Sequence, residues 1–303
     1  MIRLSILTFA LSFLGATVLA CGDDEVVPDA GQAADAAPDA DTRQAVTINF
    51  AAKVGAMDAA CGQTYTGQGV GTDQEIEFKD LRFYVSNVRL INDASEEVAI
   101  DLDQASAFQT ANVALLDFED NTGVCAGTTE TNTAVTGKIA PGTYSGLVFD
   151  VAVPFDLNHD DLVTLPSPLN ISSMFWAWAI GHKFIRIDLD VIDGATRTDW
   201  NVHLGSTACG VMGQTPPTEE CAKPNRPEIR LAGFDPASNT VNLDIEPLLA
   251  DSDLTANVGM APGCQSFPDD VDDCTPLFPN LGIDYGTGAC INGCADQSAF
   301  VME

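Results

Sequence analysis

The chain has 303 residues and a formal net charge of −31 at pH 7, with 44 acidic and only 13 basic side chains. Nucleic-acid phosphates are bound through Lys and Arg, so this balance argues against a nucleic-acid partner and disfavours docking on an anionic membrane surface. It favours a soluble domain with a basic or cationic partner.

Residues 1–20 are typical of a secretory signal peptide. Arg3 supplies a positive charge, an apolar run follows, and "VLAC" ends at Cys21. This ending resembles a bacterial lipobox, which implies a diacylglycerol on the sulfur of Cys21 and an acyl group on the new amino terminus; several acyl chains anchor a protein stably. We expect a lipoprotein of the bacterial cell envelope, at the outer membrane and facing the periplasm or the cell surface. An ordinary signal peptide with an incidental Cys is the alternative.

The composition divides the rest of the chain into two parts. Residues 21–44 are rich in Asp, Ala, Pro and Gly and contain no aromatic residue, which predicts an acidic, disordered tether. Residues 45–303 are predicted to form one domain, because all-β domains of this length are common. This part contains no apolar run long enough to span a bilayer.

Nine Cys are a large number for an exported chain, and eight remain when the lipidated Cys21 is set aside. An even number in an oxidising compartment favours disulfides over a metal-thiolate cluster, and no CxxC motif occurs. Eight Cys allow 105 connectivities, so the sequence alone does not fix the pairing. The pairs that we predict are Cys61–Cys125, Cys209–Cys221, Cys264–Cys274 and Cys290–Cys294.

Alternation of apolar and polar residues predicts strands along most of the domain. It occurs in "VTINF" (46–50), "LVFDVAV" (147–153), "IRIDLDV" (185–191) and "TVNLDI" (240–245). In "IRIDLDV" the isoleucines are expected to face inward, whereas Arg186, Asp188 and Asp190 form a wet face.

The stretch "EIEFKDLRFYVSNVRLI" (75–91) also alternates, but its phase slips near 79–80 and near 86–87. Each slip predicts a bulge, or a bend between two strands. Residues 244–254 could hold a short helical turn, and the Pro-, Asp- and Cys-rich segment after Gly259 is expected to form a disulfide-tied flap. The predicted fold class is all-β, an antiparallel β-sandwich with disulfide-tied loops.

The three His are the candidate metal ligands, because imidazole is the commonest ligand for soft or borderline metals. His159 lies in "NHDD", His182 in "AIGHKF" and His203 in "VHLGS". For each, a hydrogen-bonded structural His is the alternative. The acidic residues at 156–161 resemble part of a calcium loop but lack its glycine and its distal Glu. No hydrolase, P-loop or dinucleotide motif occurs.

Two of the three Trp lie in "MFWAWAIGHKF" (174–184), two residues apart. In a strand, Trp176 and Trp178 would point to the same face. Such a stripe is more often core packing than a cofactor site, and Trp200 is likewise expected to be a packing residue.

Taken together, these segments resemble the MbnP-like family, also described as the metallo-mystery-pair four-Cys motif proteins. The resemblance covers roughly residues 46–285. It rests on "CGQTYTGQGVG" (61–71), "DLRFYVSNVRLI" (80–91), "VALLDFED" (113–120), "NHDD" (158–161), "SPLN" (167–170), "MFWAWAIGHKFIRID" (174–188), "VHLGSTACG" (202–210) and "APGC" (261–264), which occur in the family's order.

The resemblance implies an exported, β-rich protein that is not itself an enzyme. A partner of the di-haem cytochrome c peroxidase-like (MbnH/MauG) type oxidises a Trp of such proteins to kynurenine, and kynurenine and His hold copper in relatives. By this resemblance Trp176 or Trp178 is the modified residue, with Trp176 slightly favoured, and His159 and His203 are copper ligands.

Two points stay open in this resemblance. The family usually has Tyr at the position of His182, which could therefore add a ligand or fill the same space. The function implied is a lipid-anchored copper-binding protein with a role in copper handling. The alternative is a structural or interaction lipoprotein with unmodified Trp and no metal.

Overall fold

The computed structural model describes residues 41–71, 74–177, 179–210, 216–257 and 261–303. The signal peptide, Cys21, almost all of the tether and Trp178 lie outside these ranges, so the predictions made for them stay predictions. The first strand begins at Gln44, next to the predicted start of the domain. No helix in the described ranges is both long and apolar enough to cross a membrane.

Strands dominate this part of the chain, and the helices are short. The strands are β1 (Gln44–Val54), β2 (Met57–Asp58), β3 (Thr64–Gln68), β4 (Gln74–Asn92), β5 (Glu97–Ala99), β6 (Asp101–Leu102), β7 (Gln109–Thr110), β8 (Val113–Asp117), β9 (Ala134–Ile139), β10 (Tyr144–Asp150), β11 (Phe175–Ala177), β12 (Gly181–His182), β13 (Ile185–Asp193), β14 (Thr196–Leu204), β15 (Glu228–Ala232), β16 (Thr240–Asp244) and β17 (Phe300–Met302). The α-helices are α1 (Phe155–Asn158), α2 (Ile245–Leu249) and α3 (Val271–Cys274), and 3-10 turns occur at Ser172–Met174, Phe278–Leu281 and Ile291–Cys294.

Two sheets pack as a sandwich, which confirms the predicted fold class. The first has the order β17-β16-β1-β9-β6, with β2 beside β1. The second has the order β14-β13-β4-β10-β15, with β3, β5 and β8 also paired to β4 and β7 paired to β8. The pair β1 and β16 is parallel, a departure from the all-antiparallel expectation. Parallel neighbours need a long connection, which the many residues between these two strands supply.

The centre of the second sheet is β4, one strand of 19 residues with two irregularities. Its pairing with β13 skips Lys79, and its pairing with β10 shifts between Arg89 and Ser86. Asn87, at the second irregularity, has a positive φ of 51°. Both predicted phase slips are therefore bulges inside a single strand, which let apolar side chains on either side return to the core face.

Aromatic side chains from both sheets meet in the core. Phe50 of β1 packs edge-on against Phe83 of β4 and Phe149 of β10, with ring centroids 6.2 and 5.5 Å apart. Phe300 of β17 makes similar contacts with Phe83 and Phe149. Each such pair adds about 0.5–1.5 kcal/mol beyond burial of its area, so this cluster helps to hold the sheets together.

The eight Cys of the domain pair as predicted. The disulfides are Cys61–Cys125, Cys209–Cys221, Cys264–Cys274 and Cys290–Cys294. The expected helical turn is α2. It begins one residue earlier than the strand pattern suggests, because the Asp244 side chain accepts a hydrogen bond from the backbone N–H of Glu246 and caps the helix. Ile245 is therefore helical.

Candidate functional site

One face of the second sheet carries charged side chains in register. Arg186 of β13 lies between His203 of β14 and Arg82 of β4, and Asp188 lies beside Asp80. Asp188 and Asp190 are each only 8% exposed, so the predicted wet face of β13 is largely buried. The expectation of a wet face was wrong because the neighbouring strands supply opposite charges, and buried charges are tolerated when they are paired.

Arg186 joins two carboxylates on this face. Its Nε and Nη2 donate to Oδ2 of Asp188 at 2.9 and 2.6 Å, and its Nη1 lies 2.9 Å from Oδ2 of Asp80. Asp80 also accepts a hydrogen bond from Nε of Arg82 at 2.7 Å. Burial alone would raise the pKa of Asp188, but the hydrogen bond from His203 and the charges of His203 and Arg186 outweigh it and hold that pKa well below its ordinary value.

His203 is held from its side chain and from its backbone. Its Nε2 lies 2.5 Å from Oδ1 of Asp188. Its backbone N–H donates to the carbonyl of Cys264, and its carbonyl accepts from the hydroxyl of Ser266, both at 2.8 Å. The other ring nitrogen, Nδ1, is buried and has no hydrogen-bond partner among the described residues. Burial lowers the pKa of His203, although the carboxylate of Asp188 opposes this effect.

Trp176 lies beside His203 and is partly exposed. The ring centroid of Trp176 lies 6.3 Å from that of His203 and 5.2 Å from that of Phe267. Nζ of Lys183 lies 6.0 Å from the centre of the indole. Burial, with help from the charge of Arg186, lowers the pKa of Lys183 to about 8. The structure thus brings together two of the predicted site residues.

His182 has different surroundings. It is fully buried, and its ring packs edge-on against Phe175 and Tyr84. Its Nδ1 lies 3.1 Å from the carbonyl oxygen of Asn158, and its Nε2 lies 2.9 Å from that of Leu169. A metal would have to displace one of these contacts, so they favour the structural alternative for His182.

His159 is buried against the disulfide Cys209–Cys221. Its Nε2 lies 3.6 Å from the sulfur of Cys221 and 3.2 Å from the amide nitrogen of Asn158. In the described part of the chain, His159, Cys209 and Cys221 are the one group of three or more His, Cys, Asp or Glu side chains with ligand atoms within 4.8 Å of one another. The thiolate is the form of Cys that binds metal, and both sulfurs are bonded to each other.

A cavity of about 600 Å³ opens beside these residues. It is lined by Ala179, Ile180, Thr207, Ala208, Cys209, Ala261, Phe267, Pro268, Asp269 and Asp270. Phe267 belongs to this lining and contacts Trp176, so the indole lies near the cavity wall. Trp200, in contrast, is fully buried in the core, as expected of a packing residue.

Several residues of this site are not identified from the sequence. Asp188 and Arg186 are assigned to a wet face, and Asp80 and Phe267 are not singled out. The signal available was the mixture of charge signs in "KDLR" and "RIDLD", two strands that are otherwise strongly apolar. Charges of both signs on two central strands indicate mutual pairing when the strands are neighbours.

Comparisons with known proteins identify the family of this chain. A comparison with curated proteins gives no match. The family model MbnP matches residues 43–266. The solved structure of MbnP from Methylosinus trichosporium is 31% identical in sequence, with a TM-score of 0.73, and the match covers 86% of this chain and 98% of that chain. Since the family model spans most of the chain and the structural match spans nearly all of the relative, the chain belongs to the MbnP family.

Proposed function

We propose that this protein is an exported copper-binding protein in which Trp176 is oxidised to kynurenine by a partner di-haem peroxidase. Membership of the MbnP family supports a role in copper handling. The observation that carries the proposal is the contact between Trp176 and His203, whose buried Nδ1 has no partner among the described residues.

The residues present fit a copper ion. Imidazole nitrogen suits copper, and Nδ1 of His203 is a buried nitrogen next to the candidate Trp, without a partner in the part of the chain that the structure describes. His159 is the second proposed ligand, although its Nε2 is within hydrogen-bond distance of the amide of Asn158. Bound copper would supply one-electron redox chemistry, or would itself be a cargo for transfer. These residues would hold it in a buried setting.

The modification of Trp176 needs an oxidant that reaches the indole. Its partial exposure and its place near the cavity wall make the ring approachable from outside, whereas Trp200 is enclosed. With peroxide as oxidant, two equivalents are consumed: the C2–C3 bond of the indole breaks, each carbon gains one oxygen, and both peroxides are reduced to water. Hydrolysis then releases formate and leaves kynurenine, a net loss of one carbon and gain of one oxygen.

Mass spectrometry of a peptide that contains residues 174–183, from protein of the native host, tests the modification. We expect the mass change of kynurenine on Trp176, and its absence when the partner is deleted or when Trp176→Phe is expressed. Kynurenine on Trp178 instead would show that Trp178, not Trp176, is the modified residue. Two intact Trp with the partner present would contradict the proposal and favour the structural or interaction lipoprotein.

Competition titration with Cu(I) tests the ligands. We expect His203→Ala and His159→Ala to abolish binding, because a site with few ligands cannot lose one imidazole. His182→Gln is the matched control, since both ring nitrogens of His182 face backbone carbonyls. Copper that stays bound to the His203 and His159 variants would refute this ligand set.

The anchor is a separate part of the proposal. We propose that Cys21 carries lipid and holds the domain at the bacterial cell envelope through the acidic tether. Cell fractionation of Cys21→Ser should move the protein from the membrane fraction to the soluble fraction, because no acyl chain can be attached to Ser. Unchanged fractionation of this variant would rule out the anchor.

A further inference from the structure

The surroundings of His203 also determine which of its ring nitrogens carries the proton. Its two ring nitrogens differ sharply: Nε2 faces a carboxylate oxygen of Asp188 at 2.5 Å, and Nδ1 is buried without a hydrogen-bond partner among the described residues. An ionised carboxylate only accepts hydrogen bonds, so the nitrogen that faces it must carry the proton. A neutral imidazole has one N–H, and the lone pair is then on Nδ1.

Asp188 is itself fixed in place. Both contacts from Arg186 fall on its Oδ2, which leaves Oδ1 for His203. Arg186 is in turn tied to Asp80, a fully buried carboxylate on the neighbouring strand. Since three adjacent strands hold these groups in register, the carboxylate cannot turn away from His203 without breaking the pairing of Arg186.

We propose that Asp188 is the positioning residue of the copper site: it keeps the proton of His203 on Nε2, so that Nδ1 is the nitrogen presented to the metal. The identity of the metal in this inference rests on the proposed function, whereas the tautomer of His203 does not. A hydrogen bond from the second ring nitrogen to a carboxylate orients a His ligand and raises its basicity. The sequence alone assigns no such role to Asp188.

The tautomer can be measured in the metal-free protein. Long-range proton–nitrogen NMR spectra distinguish a protonated from an unprotonated ring nitrogen, and with three His in the chain the His203 signals are assigned by their loss in His203→Gln. At about pH 8, above the ordinary pKa of imidazole, we expect Nε2–H and a bare Nδ1 in the wild type. A protonated Nδ1 would overturn the proposal without any variant being made.

Asp188→Asn tests the positioning. The Asn amide can either donate to or accept from Nε2, so we expect the single tautomer to be lost and the Cu(I) affinity to fall by about 10–100-fold. Asp188→Glu retains a carboxylate and should restore the tautomer. The matched control is Asp190→Asn, on the same face of β13, because Asp190 pairs with Lys79 and Arg197 and is not in contact with His203.

The outcomes separate the two proposals. An unchanged tautomer in Asp188→Asn, or a changed tautomer with unchanged Cu(I) affinity, would overturn the role of Asp188. The same loss of tautomer in Asp190→Asn would do so too, since it would indicate a general effect of charge. A wild type with the expected tautomer but no Cu(I) binding would instead refute the proposed copper function.

Discussion

At the scale of single residues, the position of Trp176 depends on a glycine. A Cβ atom on Gly205 would lie 2.5 Å from Cζ3 of Trp176 and 2.7 Å from the carbonyl oxygen of His182. Gly205 follows His203 by two residues in "HLGS", so the same short segment supplies both the imidazole and the space for the indole.

Gly205→Ala should displace Trp176 and destabilise the fold. Overpacking of this kind costs about 1–3 kcal/mol, because the backbone oxygen of His182 cannot move away easily. Denaturant unfolding measures the loss, and quenching of Trp fluorescence reports the changed exposure. Gly142→Ala is the control, since its Cβ would meet Tyr144 at an ordinary 3.6 Å. Equal stability of the two variants would contradict this account.

Asp117 is a second residue with a measurable consequence. It is almost fully buried. Burial raises its pKa from 3.8 to about 7, although the charge of Arg82 opposes the shift. The unfolded chain loses this proton near the ordinary value for Asp. Between about pH 4 and pH 7 the folded state therefore binds more protons, and the free energy of unfolding falls as the pH rises.

Asp117→Asn should remove this part of the pH dependence. At pH 7 the variant avoids an unfavourable buried charge, and we expect it to be more stable than the wild type by on the order of 1–3 kcal/mol. At pH 4 the two proteins should differ little, because Asp117 is protonated in the folded wild type. Urea unfolding across this pH range gives the free energy of unfolding of both proteins. If the two free energies depend on pH in the same way, Asp117 stays ionised in the folded wild type and this account is wrong.

At the scale of elements, the segment 264–274 holds the site in place. The carbonyl of Cys264 and the hydroxyl of Ser266 bind the backbone of His203, and Phe267 packs on Trp176. The disulfide from Cys264 to Cys274 in α3 ties this segment into a short loop. The disulfide from Cys290 to Cys294 closes a shorter loop, at the 3-10 turn Ile291–Cys294.

Removal of the Cys264–Cys274 disulfide should affect both stability and the site. Replacing both Cys by Ser should lower the free energy of unfolding by about 2–4 kcal/mol in the chain-entropy model. It should also weaken Cu(I) binding, because the backbone of His203 loses its fixed partner. The matched control replaces Cys290 and Cys294, which should cost stability but leave Cu(I) affinity unchanged. Equal affinities in the two double variants would contradict the positioning role of the loop.

At the scale of the whole molecule, the charge of −31 dominates the long-range electrostatics. Acidic side chains repel one another in the compact state, and this repulsion is unfavourable for folding. Paired carboxylates such as Asp80 and Asp188 are exceptions, because arginines lie between them. The sequence has 44 Asp and Glu but only 13 Lys and Arg, so most acidic groups cannot each have a basic partner of their own.

Salt should therefore stabilise this protein. Raising the ionic strength from about 10 mM to about 150 mM shortens the Debye length from roughly 30 to 8 Å and screens the repulsion between exposed carboxylates. We expect Tm to rise over this range, as followed by circular dichroism. Chloride salts of Na⁺ and K⁺ should act alike, which separates screening from specific ion binding. A Tm that is constant or falls would show that attractive pairs outweigh the net repulsion.

Much of the fold could be predicted because its signals are local. Alternation in "IRIDLDV" and "VTINF" located strands, and two phase slips located both bulges of β4. The family resemblance followed from the order of the motifs. The four disulfides match the predicted pairs, although the sequence alone does not select them from the 105 connectivities of eight Cys. The parallel pairing of β1 with β16 could not be predicted, since it depends on the path of the chain between them.

The sequence by itself determined the fold class and the positions of several strands, and it singled out Trp176, His159 and His203 as candidates through the family resemblance. Only the tertiary structure decided how those residues combine: it set Trp176 against His203 and His159 against a disulfide, and gave both nitrogens of His182 backbone partners. The physical reason is that the pairing of Asp188 depends on side chains of three adjacent strands, and one of them, β4, is far from β13 and β14 in sequence. Periodicity assigns a side chain to a face, but whether that face meets water or an opposite charge depends on which strands are neighbours.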